Sequence, residues 1–111
     1  MSAAAPVERL FQALADPSRR GMVERLGEGP ASVKQLAGPA GLGLPSAVKH
    51  LRVLSDCGLV VSEKAGRVRT FRLLPGGLAP IAGWVAAREG AARRALDRLA
   101  QAMQDLPEEE A

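Results

Sequence analysis

Apolar residues recur at helical spacing through most of this chain, and the breaks between the runs are marked by capping residues. Val7, Leu10, Phe11 and Leu14 follow i, i+3, i+4, i+7, which predicts a first short helix. Asp16-Pro17 closes it and opens another, with Asp16 as N-cap and Pro17 at the first helical position. Met22, Val23 and Leu26 bury that second helix, and Gly27 or Gly29 ends it. Ser32-Val33-Lys34-Gln35 is a capping box opening a third helix, with Leu36 and Ala37 inward. Gly38-Pro39 is expected to cut this helix to about two turns. A fourth helix starts near Leu44-Pro45 and stops at Gly58, with Leu44, Ala47, Val48, Leu51 and Leu54 on one predicted face. The opposite face carries Ser46, Lys49 and Val53, flanked by His50 and Arg52.

After Gly58 the period changes from helix to strand. Leu59-Val60-Val61 is apolar and β-branched, and Val68 to Leu74 alternates, with Phe71 and Leu73 on one side and Thr70 and Arg72 on the other. Lys64-Ala65-Gly66-Arg67 between them supplies a hairpin turn. Beyond Pro75-Gly76-Gly77 comes the longest stripe: Leu78, Ile81, Val85, Ala92, Leu96, Leu99, Met103 and Leu106, interrupted at Arg88-Glu89. A helix from Leu78 to Leu106 runs roughly 43 Å, too long for so small a domain to cover alone. The fold class expected is α+β, mainly α: four short helices, a hairpin and a long last helix, with no domain boundary within 1–111.

Charge adds a direction to this picture. Lys49 through Arg72 holds six basic residues and two acidic ones, while the whole chain carries only +3, so the remainder is slightly acidic. A helix with a small, cationic outer face followed by a basic hairpin suits duplex DNA, whose major groove admits a helix and whose phosphates flank it. Solvated charge on an ordinary surface is the plainer reading of the same residues.

The totals exclude other classes. In 111 residues, 47% hydrophobic and 24% charged content is ordinary for a folded domain, and 3% aromatic content calls for an aliphatic core. There is no apolar run of membrane-spanning length and no signal-peptide pattern at the N-terminus, and one cysteine fits a reducing compartment, so a cytoplasmic location without membrane contact is expected. One histidine, one cysteine and no phosphate-cradling glycine loop leave little from which to build a catalytic site. The expectation is no catalytic residue, no metal and no cofactor.

The segments ALADPSRRGMVERL, SVKQLA, LPSAVKHLRVLSDCGLV and GRVRTFRL, in that order, resemble the ArsR/SmtB winged helix-turn-helix repressors, clearly over Phe11 to Leu74 and more loosely beyond. The resemblance implies a sequence-specific DNA-binding regulator, a repressor dimerising through its first and last helices. Ser32 and Lys34 stand where metal-sensing members carry cysteines, and the last helix has Asp97 but no histidine, so the similarity is to a branch without metal sites. Leu44 stands where glutamine is frequent in the family, and Val48 where serine is frequent.

The candidate DNA contacts are Ser32, Gln35, Pro45, Ser46, Lys49, His50, Arg52, Lys64, Arg67, Arg69 and Thr70, from a reading helix over 44–57 and a wing over 62–72, with a partly palindromic duplex as partner. Arg52 can instead pair with Asp56 four residues on. The candidate dimer contacts are Leu10, Phe11, Leu14, Leu78, Ile81, Trp84, Val85, Leu96, Leu99 and Met103. Arg19 and Arg20 open the second helix where its dipole disfavours them, unless a phosphate or an acidic partner lies near. Cys57 at the end of the reading helix reads as structural. A thiol- or ligand-responsive switch through it, or a protein-binding winged helix, are the alternatives, and the effector is not legible.

Overall fold

A computed structural model describes residues 6–107; the N-terminal residues before Pro6 and the acidic tail after Pro107 lie outside that range. In chain order the elements are α1 (Pro6–Leu14), α2 (Pro17–Leu26), β1 (Ala31–Ser32), α3 (Val33–Ala40), α4 (Leu44–Asp56), β2 (Val60–Ala65), β3 (Val68–Leu73) and α5 (Ala79–Gln104). The fold is a winged helix: mainly helical, with a small antiparallel sheet ordered β1-β3-β2. The chain divides into two compact units, one ending at Ile81 and the other starting at Ala82.

The first unit holds the core. Leu10, Met22, Leu51, Leu54, Leu59 and Val60 are its largest fully buried side chains, with Leu26, Leu36 and Phe71 beside them, so the core is aliphatic apart from one ring. Among the described residues no polar or charged side chain is buried. The caps fall where the residue chemistry places them. The Asp16 carboxylate accepts from the Arg19 N–H at 3.0 Å. In α3, Ser32 Oγ accepts from the Gln35 N–H at 3.3 Å, and Gln35 Oε1 accepts from the Ser32 N–H at 2.9 Å.

Four features depart from the expectations. First, α3 has the expected length of about two turns, but Gly38-Pro39 lies inside it and does not end it. Gly38 has no Cβ to meet the proline ring, which eases the restriction on the residue before a proline, and the missing N–H forgoes one bond. The helix ends at Gly41 instead, left-handed at φ +68, with the Leu42 N–H donating to the Ala37 carbonyl at 3.0 Å. Second, a strand of two residues was not expected: Ala31 pairs with Phe71 and Ser32 with Thr70, placing the sheet edge against the start of α3.

Third, α4 is turned about its axis relative to the predicted face. Ala47, Leu51 and Leu54 are buried, but Val53 packs on the core while Leu44 and Val48 are exposed. Fourth, Arg19 and Arg20 turn back to cap α1. Arg19 Nε donates to the Ala13 carbonyl at 2.6 Å and Nη2 to that of Gln12 at 3.2 Å, while Arg20 Nη1 reaches the Leu14 carbonyl at 2.6 Å. The partners the two cations lacked in sequence are the free carbonyls at the negative end of a neighbouring helix.

The hairpin is in register from Val60↔Leu73 to Ala65↔Val68, so Gly66 and Arg67 form a two-residue loop, with Gly66 at φ +62. In the second unit, no residue of α5 is buried, and Leu96, Leu99, Met103 and Leu106 are all exposed by more than half. The Arg88 guanidinium lies over the Trp84 ring, 5.2 Å from its centroid.

Candidate nucleic-acid interface

Helix α4 is positioned by its buried stripe on one side and by a hydrogen-bonded corner on another. His50 is half-buried, with its Nδ1 3.2 Å from Arg19 Nη1. A guanidinium only donates, so Nδ1 is the acceptor in this contact. His50 therefore points toward the α1–α2 corner and helps to fix α4, a placement that moves it off the outward face. Pro45, Ser46, Lys49 and Arg52 are exposed on that face. Among the described residues Arg52 makes no ion pair with Asp56, and the one salt bridge, Arg72 to Glu63 at 3.4 Å, lies on the wing.

The wing concentrates positive charge by its register. Lys64 stands directly across from Arg69, a like-charged pair that an antiparallel ladder does not favour on its own. Arg69 is held by a hydrogen bond from Nη1 to Ser62 Oγ at 2.7 Å, and Lys64 and Arg67 are exposed at the tip. Thr70, expected among the contacts, is half-buried in the middle of β3, between Ser32 and Glu63 of the flanking strands. Ser32 and Gln35 are engaged with each other in the capping box.

A cleft of about 520 Å³ joins these elements: Ser32, Val33 and Lys34 from the start of α3, Leu44 and Val48 from α4, and Arg67, Val68 and Arg69 from the wing. It brings together Ser32, Arg67 and Arg69 from the expected contacts. It adds Lys34, Leu44, Val48 and Val68, which were not among them. The signal for Leu44 and Val48 was present in the sequence, as two apolar residues where the family more often has polar ones.

Cys57 lies away from this cleft, in a smaller one of about 220 Å³ with Arg9, Gln12, Arg19 and Asp56. Its Sγ donates to the Leu54 carbonyl at 3.4 Å, and burial pushes the thiol's pKa up. Both favour the protonated thiol over the nucleophilic thiolate. Among the described residues no three His, Cys, Asp or Glu side chains cluster as metal ligands, and no helix is long and apolar enough to cross a membrane. Of the candidate dimer contacts, Leu10 is only 1% exposed and belongs to the core of its own subunit, because α1 turns it inward. Leu14 and Ile81 are partly buried against that core, and Leu78, Val85, Leu96, Leu99 and Met103 are exposed.

Residues 14–63 match a family described as a helix-turn-helix domain. Over 74 residues the chain is 43% identical to the HTH-type transcriptional regulator Rv2034 of Mycobacterium tuberculosis, covering 67% of this chain and 69% of that one. It is 47% identical over 72 residues to the HTH-type transcriptional regulator NmtR of the same organism, covering 64% of this chain and 59% of the relative. Among solved structures, an ArsR family transcriptional regulator, RHA00566, is 38% identical with a TM-score of 0.76, covering 80% of this chain and 98% of that chain. An ArsR-like transcriptional regulator from Rhodococcus sp. RHA1 also superposes with a TM-score of 0.76, at 29% identity over 91% of this chain and 95% of that one.

Proposed function

The chain belongs to the ArsR family of winged helix-turn-helix transcriptional regulators, and from that premise we propose that it is a homodimeric repressor that covers a partly palindromic operator. The observation that carries the DNA-binding mode is the like-charged wing tip beside the outward cationic face of α4. Lys64 opposite Arg69 is unfavourable in isolation, and phosphate oxygens along the backbone of a duplex relieve it. In this reading α4 enters the major groove with Lys49 and Arg52 toward base edges or phosphate. The wing grips the flanking backbone or minor groove through Lys64, Arg67 and Arg69. Ser32, Gln35, Pro45 and Ser46 lie where a groove-bound α4 brings backbone close, while His50 and Thr70 act by holding the reader and the wing in place.

Dimerisation is supported by the exposed stripe of α5. The contact set is Phe11, Leu14, Leu78, Ile81, Trp84, Val85, Leu96, Leu99 and Met103, and two copies then present two reading helices about one duplex turn apart. The site of action is the cytoplasm, where promoter DNA is found, and the whole of 1–111 serves as one regulatory domain. No chemistry on the DNA is required: occupancy of the promoter is the activity. Signalling through Cys57 is the lesser reading, since its thiol is hydrogen-bonded and pushed toward protonation.

The test is a mobility-shift titration over a range of salt. Lys49→Ala weakens binding, and Arg67→Ala with Arg69→Ala lowers the salt slope by about 2, about one for each phosphate that is no longer neutralised. An unchanged slope in the double variant would show that the wing does not touch phosphate.

A further inference from the structure

Three aliphatic side chains stand where a DNA-reading surface is ordinarily polar. Leu44 is 45% exposed, Val48 42% and Val68 55%, and all three line the same cleft. Leu44 and Val48 are four residues apart on α4, so they stack on one face about 6 Å apart along the helix axis. Val68 closes the cleft from the wing, and Lys34, Arg67 and Arg69 form its cationic rim. An apolar patch inside a ring of cations suits a partner that is polyanionic at its edges and offers an apolar group between them.

Duplex DNA has such a group at one base only. In the major groove guanine, cytosine and adenine present hydrogen-bonding atoms, and thymine adds a 5-methyl group. Leu44 and Val48 carry no side-chain donor or acceptor, so on a helix in that groove their direct discrimination among the standard bases acts through this methyl. We propose that Val48, with Leu44 beside it, reads thymine in each half-site by packing on its 5-methyl group, and that these two residues are specificity determinants of the operator. Val68 walls the cleft and keeps water from the contact. The cationic rim holds the phosphates on either side, which sets the depth at which the methyl meets the patch.

The inference rests on DNA binding through α4, and the experiment separates the two. Duplexes are enriched from a randomised pool on the wild-type protein, and the enriched site is then synthesised with deoxyuridine in place of each thymine in turn. This removes the methyl and leaves base pairing unchanged. At the contacted thymine, deoxyuridine weakens wild-type binding about fourfold, the worth of one buried methyl-sized group, and roughly fifteenfold when both half-sites are changed. In Val48→Ser the two duplexes bind alike at that position, and Leu44→Gln narrows the difference. Both substitutions are at exposed positions, and equal thermal melting of the variants confirms that each is folded.

An enriched duplex that the wild type binds equally well with thymine or deoxyuridine overturns the inference and leaves DNA binding standing. The patch then belongs to a protein partner or a second copy of this chain. A thymine preference that persists undiminished in both variants overturns the assignment to these residues. Failure to enrich any duplex overturns the DNA-binding reading, and this inference with it.

Discussion

Helices α4 and α5 carry the same kind of apolar stripe in sequence and come to opposite ends in the structure. In α4 the stripe is covered within the subunit: Ala47, Leu51 and Leu54 are at most 1% exposed. In α5, twice as long, no residue is buried, and Leu96, Leu99 and Met103 face outward. Periodicity states which face of a helix needs cover, and it is silent on what supplies the cover. A stripe matched by the α1–α3 layer and the sheet makes α4 a rigid platform for its outer face. A stripe left open on a helix of this length calls for a second chain.

Substitutions in the two stripes separate these roles. Leu54→Ala removes a fully buried side chain from the centre of the core and is expected to lower stability by about 2–5 kcal/mol, from the forfeited transfer energy and the cavity left behind. Denaturant unfolding at a fixed protein concentration measures it, since a dimer's stability depends on concentration. A loss below about 1 kcal/mol would mean that α4 is not seated as described. Leu99→Glu with Met103→Glu changes two exposed positions of α5, so it should leave far-ultraviolet circular dichroism unchanged while raising the dimer dissociation constant at least tenfold. Sedimentation velocity reads this directly. A wild type that sediments as a monomer at micromolar concentration would remove the dimer from the reading, and the stripe on α5 would need another occupant.

What was legible in the chain follows the same division between local and distant causes. Asp16-Pro17, the Ser32–Gln35 box and Gly58 set element boundaries through bonds with residues a few positions away, and the starts of α2 and α3 and the end of α4 fall accordingly. The short strand β1 was not legible, because two residues become a strand only when Phe71 and Thr70 arrive beside them. The rotation of α4 was hidden for a related reason. Val48 and Val53 are equally apolar, and only the neighbours that pack on Val53 decide between the two faces. Arg19 looked misplaced at a helix start until the α1–α2 turn brought it to the carbonyls of Gln12 and Ala13. In the candidate interface the cations could be read directly, since charge survives whatever the packing does. The aliphatic patch required the wing to be placed before Val68 joined Leu44 and Val48.

The smallest expected effect belongs to the corner that orients α4, and it depends on pH where the core packing does not. The Asp16 carboxylate caps α2 by accepting from the Arg19 N–H at 3.0 Å, and that bond holds its pKa below the ordinary 3.8 against an opposing desolvation. A carboxyl whose folded-state pKa is depressed binds its proton more readily when unfolded. Its contribution is therefore complete above the ordinary carboxylate range and is lost as pH falls through the folded-state value. Asp16→Ala removes both charge and acceptor, so the variant is less stable than wild type at pH 7, and the gap narrows as pH falls below 3.8. Asp16→Asn keeps an acceptor for the Arg19 N–H without the charge, so its deficit at pH 7 is smaller and also shrinks in acid. Paired denaturation curves at pH 7 and pH 3 resolve these differences, because the other carboxyls titrate alike in wild type and variant. A gap that stays constant across that range would assign the cap to hydrogen bonding alone, with no part for the carboxylate charge at the helix N-terminus.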